Sequence, residues 1–238
     1  MSEVTICNLA LSHLGDTAAV ASIRPPDSSI QAQLCARFYP MARNSLLEMG
    51  QWGFATKRIQ PAQVPLPTYT DADGNTEPGT WRFAYAVPAD LVNAIAVLSP
   101  DALNDYEMRL GPSEFDYYPV APEGYVPVPA APTYTPRPFA METLQDGTQI
   151  ILTNVPSAVL RYTAQVTDTT NFSSLFTLAL SYLLASMLAG PLIKGDAGAA
   201  LGTQMLQLFN ATRGQASSSD ANQRKTNVQP SVSWIRGR

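Results

Sequence analysis

A chain of 238 residues with 45% hydrophobic composition can bury a substantial core, as one large domain or one domain carrying an inserted lobe. Its formal charge of −4 and pI near 4.9 exclude a body organised as a basic patch for phosphates. Charged residues make up 14%, below the ~25% usual for soluble domains. That deficit predicts a surface partly covered by something other than water, as in an oligomer.

Ser2 is placed to cap a first helix in which Val4, Ile6, Cys7, Leu11 and Leu14 recur at helical spacing, with Gly15 as its stop. Met1-Ser2-Glu3-Val4 has no basic region followed by an apolar run, so no signal peptide is expected and the chain is assigned to a reducing cytoplasm. Cys7 and Cys35, the only two cysteines, fall on apolar helix faces and imply no disulfide framework. After the Arg24-Pro25-Pro26-Asp27 break, Asp27 is expected to cap a second helix with Ile30, Leu34, Phe38, Met41, Ala42, Leu46 and Met49 along its buried face. Pro40 lies inside that helix and predicts a kink near Ala36.

From Gln51 to about Ser99 the pattern changes to strands and turns. Phe54 to Ile59 reads as a strand, Pro61 to Pro78 as a proline- and glycine-rich loop, and Trp81 to Val87 as a half-buried strand with alternating aromatics. Val92 to Leu98 is an apolar run short enough for a buried strand. Residues 100 to 140 interleave prolines with Tyr106, Tyr117, Tyr118, Tyr125 and Tyr134, which excludes a long helix or central strand. This Pro/Tyr-rich insertion is either an extended excursion packed on a surface or an ordered loop with no partner. Phe139 to Leu144, Gln149 to Thr153 and Ala158 to Gln165 then read as successive antiparallel strands joined by Gln145-Asp146-Gly147-Thr148 and Asn154-Val155-Pro156-Ser157.

The last third reads as helical, Phe172 to Leu192 and then Asp196 to Arg213, separated by Gly190-Pro191 and Gly195. From Thr169 to Ile193 there is no charged residue, which raises a membrane span. Its serines, threonines and Asn171, and the lack of an aromatic belt, favour instead a central helix buried by its own domain and by an adjacent subunit. The expected architecture is therefore α+β: a helical bundle from residues 1–50 and 169–214, a β-rich lobe over 51–168, and an extended tail over 215–238. Within residues 220–238, Asp220 stands against Arg224, Lys225, Arg236 and Arg238, so this end carries +3 and the remainder −7. A basic tail on an acidic body suits either docking on a partner or a solvated end.

Little in the sequence supports reaction chemistry. His13 is the single histidine, too few for a zinc cluster or a Ser-His-Asp triad, and its place near the end of the first helix suits a cation favouring the helix dipole. Asp71-Ala72-Asp73-Gly74-Asn75-Thr76-Glu77 resembles the start of a calcium loop without its closing glutamate, and reads as an Asp-Gly turn. Asp71, Asp73, Glu77, Glu114 and Asp116 are the loop carboxylates a glycosidase would need, but nothing pairs two of them at the required separation. Gly195-Asp196-Ala197-Gly198 lacks the lysine and hydroxyl residue of a phosphate loop. No catalytic residue, metal or cofactor is assigned. Trp234, Ile235, Arg236 and Arg238, closing an otherwise polar tail, are the residue types of an interface anchor and the candidate binding residues.

Several motifs, in order, resemble the tail tubular protein A, or head-to-tail adaptor, family of short-tailed bacteriophages. They are Ile6 to Gly15; Tyr39 with Arg43 and Leu46-Leu47; Trp52-Gly53-Phe54-Ala55 with Arg58; Tyr85-Ala86-Val87-Pro88-Ala89-Asp90; and Arg161-Tyr162 before a helix carrying Leu178-Ala179-Leu180 and Leu183-Leu184-Ala185. The insertion at 100–140 and the tail after Gly214 depart from that pattern. The resemblance implies a structural virion protein that forms a ring, twelve-fold in relatives, between the portal protein and the tail nozzle protein. With that ring goes assembly in the host cytoplasm and a lumen through which DNA passes without specific binding; portal docking is assigned to the tail from its own residue types, and no enzymatic activity is expected. An acidic lining suits that passage. The competing expectation is a tail-associated protein that binds or hydrolyses glycans, motivated by the tyrosines and carboxylates of residues 69–134.

Overall fold

The computed structural model describes residues 1–17, 19–67, 69–70, 76–77, 80–100 and 136–223. The fold is α+β, with four α-helices and antiparallel sheets among the described residues. The described residues form two compact units, one built from residues 1–56 and from Thr163 to the end of the last helix, the other from residues 57–162.

In the helical unit, α1 spans Glu3–His13, and Ser2 Oγ caps it by accepting the Thr5 N–H at 3.1 Å. Gly15, at φ +76°, ends it as expected, its N–H bonding Ser12 O at 3.0 Å while Asp16 N–H bonds Leu11 O at 3.1 Å. Helix α2 spans Ile30–Glu48 and runs through Pro40. Its cap is Ser29, whose Oγ accepts the Ala32 N–H at 3.1 Å, and not Asp27. Asp27 instead braces the cap: its carboxylate accepts the Ser29 hydroxyl, and it accepts the N–H groups of Ser29 and of Ala21, both at 2.9 Å. Those bonds, the Ser29 hydroxyl first, hold the Asp27 carboxyl down at about 2.

The buried face of α2 is also turned from the expected one. Ala32, Cys35, Tyr39, Ala42, Arg43, Leu46 and Leu47 face inward, while Ile30, Met41 and Met49 are exposed. The reason is Arg43: an arginine is assigned to water by hydropathy, but here Glu3 of α1 faces its guanidinium, and its stem packs as an apolar chain.

Helix α3 spans Ser174–Ile193, capped by Ser173, and α4 spans Gly195–Asn222. Gly190-Pro191 does not break α3; the turn is made by Lys194 and Gly195, both at positive φ. A Cβ on Gly198 would lie 2.9 Å from Ala189 O, and one on Gly202 3.3 Å from Ser186 O, so these glycines let α4 lie close along α3. Helix α3 packs on α1, α2 and, most extensively, α4. Phe176, Ala179, Leu180, Leu183, Leu184, Leu188 and Ala189 are buried within the one chain, while Leu175, Leu178, Tyr182, Met187 and Leu192 stay partly exposed and Ile193 is exposed. The expected central helix is thus covered in large part by its own chain.

Helix α4 continues well past Arg213, so residues 215–222 are helix and not extended tail. Ala216 is buried, Ser218 Oγ donates to Gly214 O at 3.0 Å, and the Asp220 carboxylate is bonded within the unit. A buried apolar position and a fixed carboxylate outweigh the low helix propensity of the Gly and Ser run.

In the other unit, strand order is β2-β5-β8-β7 in one sheet, with β2 Gln63–Val64, β5 Phe83–Ala86, β7 Phe139–Thr143 and β8 Gln149–Thr153. Register is set by Ala84↔Leu152 and Ala140↔Leu152, which place Ala84, Ile150 and Leu152 in one core cluster with Val64, Trp81, Ala140 and Leu144 packed on it. A second sheet has the order β1-β9-β6, with β1 Thr56–Ile59, β6 Leu91–Leu98 and β9 Val159–Ala164. Residues 158–165 were expected to follow 149–153 as its antiparallel neighbour, but β9 leaves that sheet and lies between β1 and β6. Ser157, at φ +50°, makes the turn that redirects it. The expected loop over Pro61–Pro78 holds β2 and a short ladder, β3 Tyr69–Thr70 with β4 Thr76–Glu77.

Candidate functional site

The anchor proposed from sequence, Trp234, Ile235, Arg236 and Arg238, lies outside the described residues, as do Asp71, Asp73, Glu114, Asp116 and the insertion from 101 to 135. The side chain of Glu77 is also outside them. What can be built from residues upward is the set of polar and aromatic groups that carry the family resemblance. Among the described residues they resolve into fasteners.

The Trp52-Gly53-Phe54-Ala55 junction, expected to open a strand, is a 3-10 turn over Gly53–Ala55 leading into β1. Trp52 is buried, and its indole N–H donates to Leu46 O at 2.8 Å, which ties the junction to the last turn of α2. Its ring meets Phe176 edge-on at 4.9 Å, and Phe54 meets Phe176 at the same distance and Phe172 at 5.5 Å. Gly53 N–H points between both oxygens of the Asp220 carboxylate, at 2.9 and 3.0 Å. A Cβ on Gly53 would stand 3.2 Å from Asp220 Oδ1, so glycine here admits the carboxylate. One four-residue junction thus holds α2, α3 and the far end of α4. Asp220, counted in the sequence with the basic tail, belongs to this fastening; that it closes a long helix nearly free of charge was the signal.

Near the start of the chain, Glu3 faces two guanidinium groups, Arg24 Nε at 3.3 Å and Arg43 Nη1 at 3.8 Å. Arg43 is 3% exposed and donates from Nε and Nη2 to Asn44 Oδ1 at 3.1 and 3.0 Å. Burial lowers its pKa, yet a guanidinium stays charged. Beside it the Tyr39 hydroxyl is buried without a hydrogen-bond partner among the described residues, and burial raises its pKa. Cys7 and Cys35 are buried free thiols on α1 and α2, and the Cys35 thiol together with burial pushes Cys7 up, so it stays protonated.

His13 corrects a sequence expectation. Burial lowers its pKa, which makes it a neutral ring at pH 7 and not a cation at the helix end. Ser181 Oγ donates to Leu178 O at 2.8 Å, so His13 Nε2, 3.0 Å from the same oxygen, is the donor in that contact. The ring also stacks on Tyr182 with centroids 4.4 Å apart. His13 therefore holds α1 to α3.

In the sheet unit, Asp90 joins two strands: Lys57 Nζ of β1 donates to it at 2.7 Å and Tyr162 of β9 donates to it at 2.9 Å. The Lys57 bond first, then Tyr162, lowers the Asp90 carboxyl, while burial and that same bond push Tyr162 up to about 12. Tyr85 donates to Val155 O at 2.8 Å and accepts Ala158 N–H at 3.3 Å, which fixes the turn that sends β9 to its own sheet.

Apart from the unpartnered Tyr39 hydroxyl, these groups are tied up in bonds or packing within their units, and among the described residues no three His, Cys, Asp or Glu side chains gather to hold a metal ion. No protein-family model matches the chain, and no curated protein matches it.

Proposed function

We propose that this protein is a structural virion component, a head-to-tail adaptor that closes into a ring between the portal and the tail nozzle and continues the DNA channel. The observation that carries the reading is the use made of the motif residues. Trp52, Gly53, Tyr85, Asp90 and Tyr162 bond from one element or turn to the next, and Tyr39 and Arg43 lie on the inward face of α2. A subunit with a mechanical task needs such residues and no reaction centre.

The acidic balance of residues 1–219, at −7, suits a wall past which DNA slides without sticking. The basic end with Trp234, Ile235, Arg236 and Arg238 suits a segment that grips the portal. Native mass spectrometry and particle imaging of the protein alone and with its cognate portal protein test the reading. An annulus seated on the portal is expected, and a single copy under both conditions would refute it. Because α4 reaches Asn222, the chain to shorten is one ending at Gln223: it should fold and lose portal attachment, and unchanged attachment would refute the tail's part.

A further inference from the structure

We propose that the outward face of α4 on one copy seats on the outward stripe of α2 on the next, so that the two helices form the repeating contact of the ring; this rests on the ring reading and names its surface. Between Asp196 and Asp220, α4 carries Arg213 as its only charged residue. The inward positions Gly198, Met205, Phe209, Thr212 and Ala216 recur at helical spacing, with Leu201, Gly202 and Arg213 half-buried, and the opposite side is open. Ala200, Thr203, Gln207, Ala211, Gly214 and Ser218 lie opposite that line and are exposed, flanked by exposed Leu206 and Leu208. A helix that stays in water normally carries glutamate and lysine there, whereas depletion of charge marks the middle of protein interfaces. Small side chains also allow another helix to approach closely.

The occupant follows from size and from symmetry. Twenty-eight residues make a strip about 42 Å long, and with a width of about 10 Å it offers about 400 Å². That is half of the roughly 800 Å² each partner buries in a standard interface, too little for a lasting pair, but a closed ring lets every copy make the contact twice. A ring contact is heterologous, so it needs a second, different patch on the same unit. Helix α2 supplies one: Ile30, Gln33, Arg37, Met41 and Glu48 form a single exposed stripe, with Ile30 68% and Met41 56% exposed. With Arg37 and Glu48 of opposite sign the stripe is neutral overall.

The test uses two full-length double variants, Ala200→Glu/Gln207→Glu on α4 and Ile30→Glu/Met41→Glu on α2, each with circular dichroism and thermal unfolding to confirm the fold. All four positions are exposed, so a single copy should melt as the parent does. On portal, each variant alone should lose the ring and run at 25.7 kDa. Mixed, they retain a single contact, too small by itself to hold a pair, and should stay at 25.7 kDa, whereas one chain combining Ala200→Glu/Gln207→Glu with Ile30→Lys/Met41→Lys sets opposite charges across every contact and should close the ring again. If either double variant closes the parental ring, or the combined chain fails to close it, the pairing is wrong while the ring reading stands. If the parent chain itself never assembles, the ring reading fails and this contact with it. Lysine versions of the same pairs give the same readout should the glutamate versions unfold.

Discussion

Helices α3 and α4 lie side by side and are almost equally poor in charge, yet half the residues of one are buried and the other is mostly open. From Thr169 to Ile193 there is no charged residue, and from Ala197 to Ser219 there is one, Arg213. α3 has three neighbours within its unit, α1, α2 and α4, and large apolar residues on most of its circumference; α4 packs chiefly on α3 and fills its open face with alanine, glutamine, serine and threonine. Absence of charge therefore carries two meanings. With large apolar residues on most sides it describes a helix covered in large part by its own chain, and with small uncharged residues on an exposed face it describes the surface proposed above for the next copy.

The buried helix should answer to volume. Phe176 is fully buried, with Trp52, Phe54 and Phe172 around its ring at 4.8–4.9 Å. Phe176→Ala should destabilise the helical unit by about 3–5 kcal/mol, read as a lowered denaturation midpoint. A loss under 1 kcal/mol would mean α3 is less tightly enclosed than its burial indicates. Where the two helices meet, Gly198→Ala puts a methyl group 2.9 Å from the Ala189 carbonyl oxygen. Backbone cannot turn aside as a side chain can, so the helices must separate, at a cost of about 1–3 kcal/mol despite alanine's better helix propensity. A stabilised variant would show that α4 is free to shift along α3.

How much of this was legible in the sequence depends on range. Ser2 as a cap, Gly15 as a stop and Gln149 to Thr153 as a strand were readable because each is decided by residues within one turn or one strand. The α2 face was not, because Arg43 is inward only when Glu3, forty residues away in sequence, stands opposite. The extent of α4 failed for the same reason: Gly214 and the serines beyond it predict an end locally, and Asp220 with the Gly53 N–H decides otherwise. Of the binding anchor assigned from sequence, Trp234 and its neighbours lie outside the described residues, whereas the open face of α4 was hidden because a run of alanine, glutamine and serine looks like an ordinary solvated helix until its burial is known.

The contact between α1 and α3 can be tested with pH, because the chain has a single histidine. His13 has a lowered pKa in the folded state through burial. As pH falls below the ordinary value of about 6.5, the unfolded chain takes up the proton first, so stability drops and then levels off once pH passes the folded pKa. Above pH 7 the contribution is fully present. His13→Gln should flatten that slope in a series of urea titrations from pH 5 to 7.5, with the lost stack and hydrogen bond costing about 1 kcal/mol at pH 7. A slope that persists in the variant would assign it to another group.

The smallest expected effect is the most telling for α4. Leu206 and Leu208 are 44% and 39% exposed on a helix whose core positions are Met205 and Phe209. In a single copy, Leu206→Gln/Leu208→Gln changes side chains that already stand about two-fifths in water, and glutamine keeps both the covered stem and, to within a few tenths, the helix propensity of leucine, so unfolding should move by no more than about 0.5 kcal/mol. Were these leucines part of the single-copy core, the same change would cost several times that. A flat result in the isolated chain, set against the sharp response of Phe176 one helix away, is what separates a surface left open from a surface buried, although the two stretches differ by a single charge.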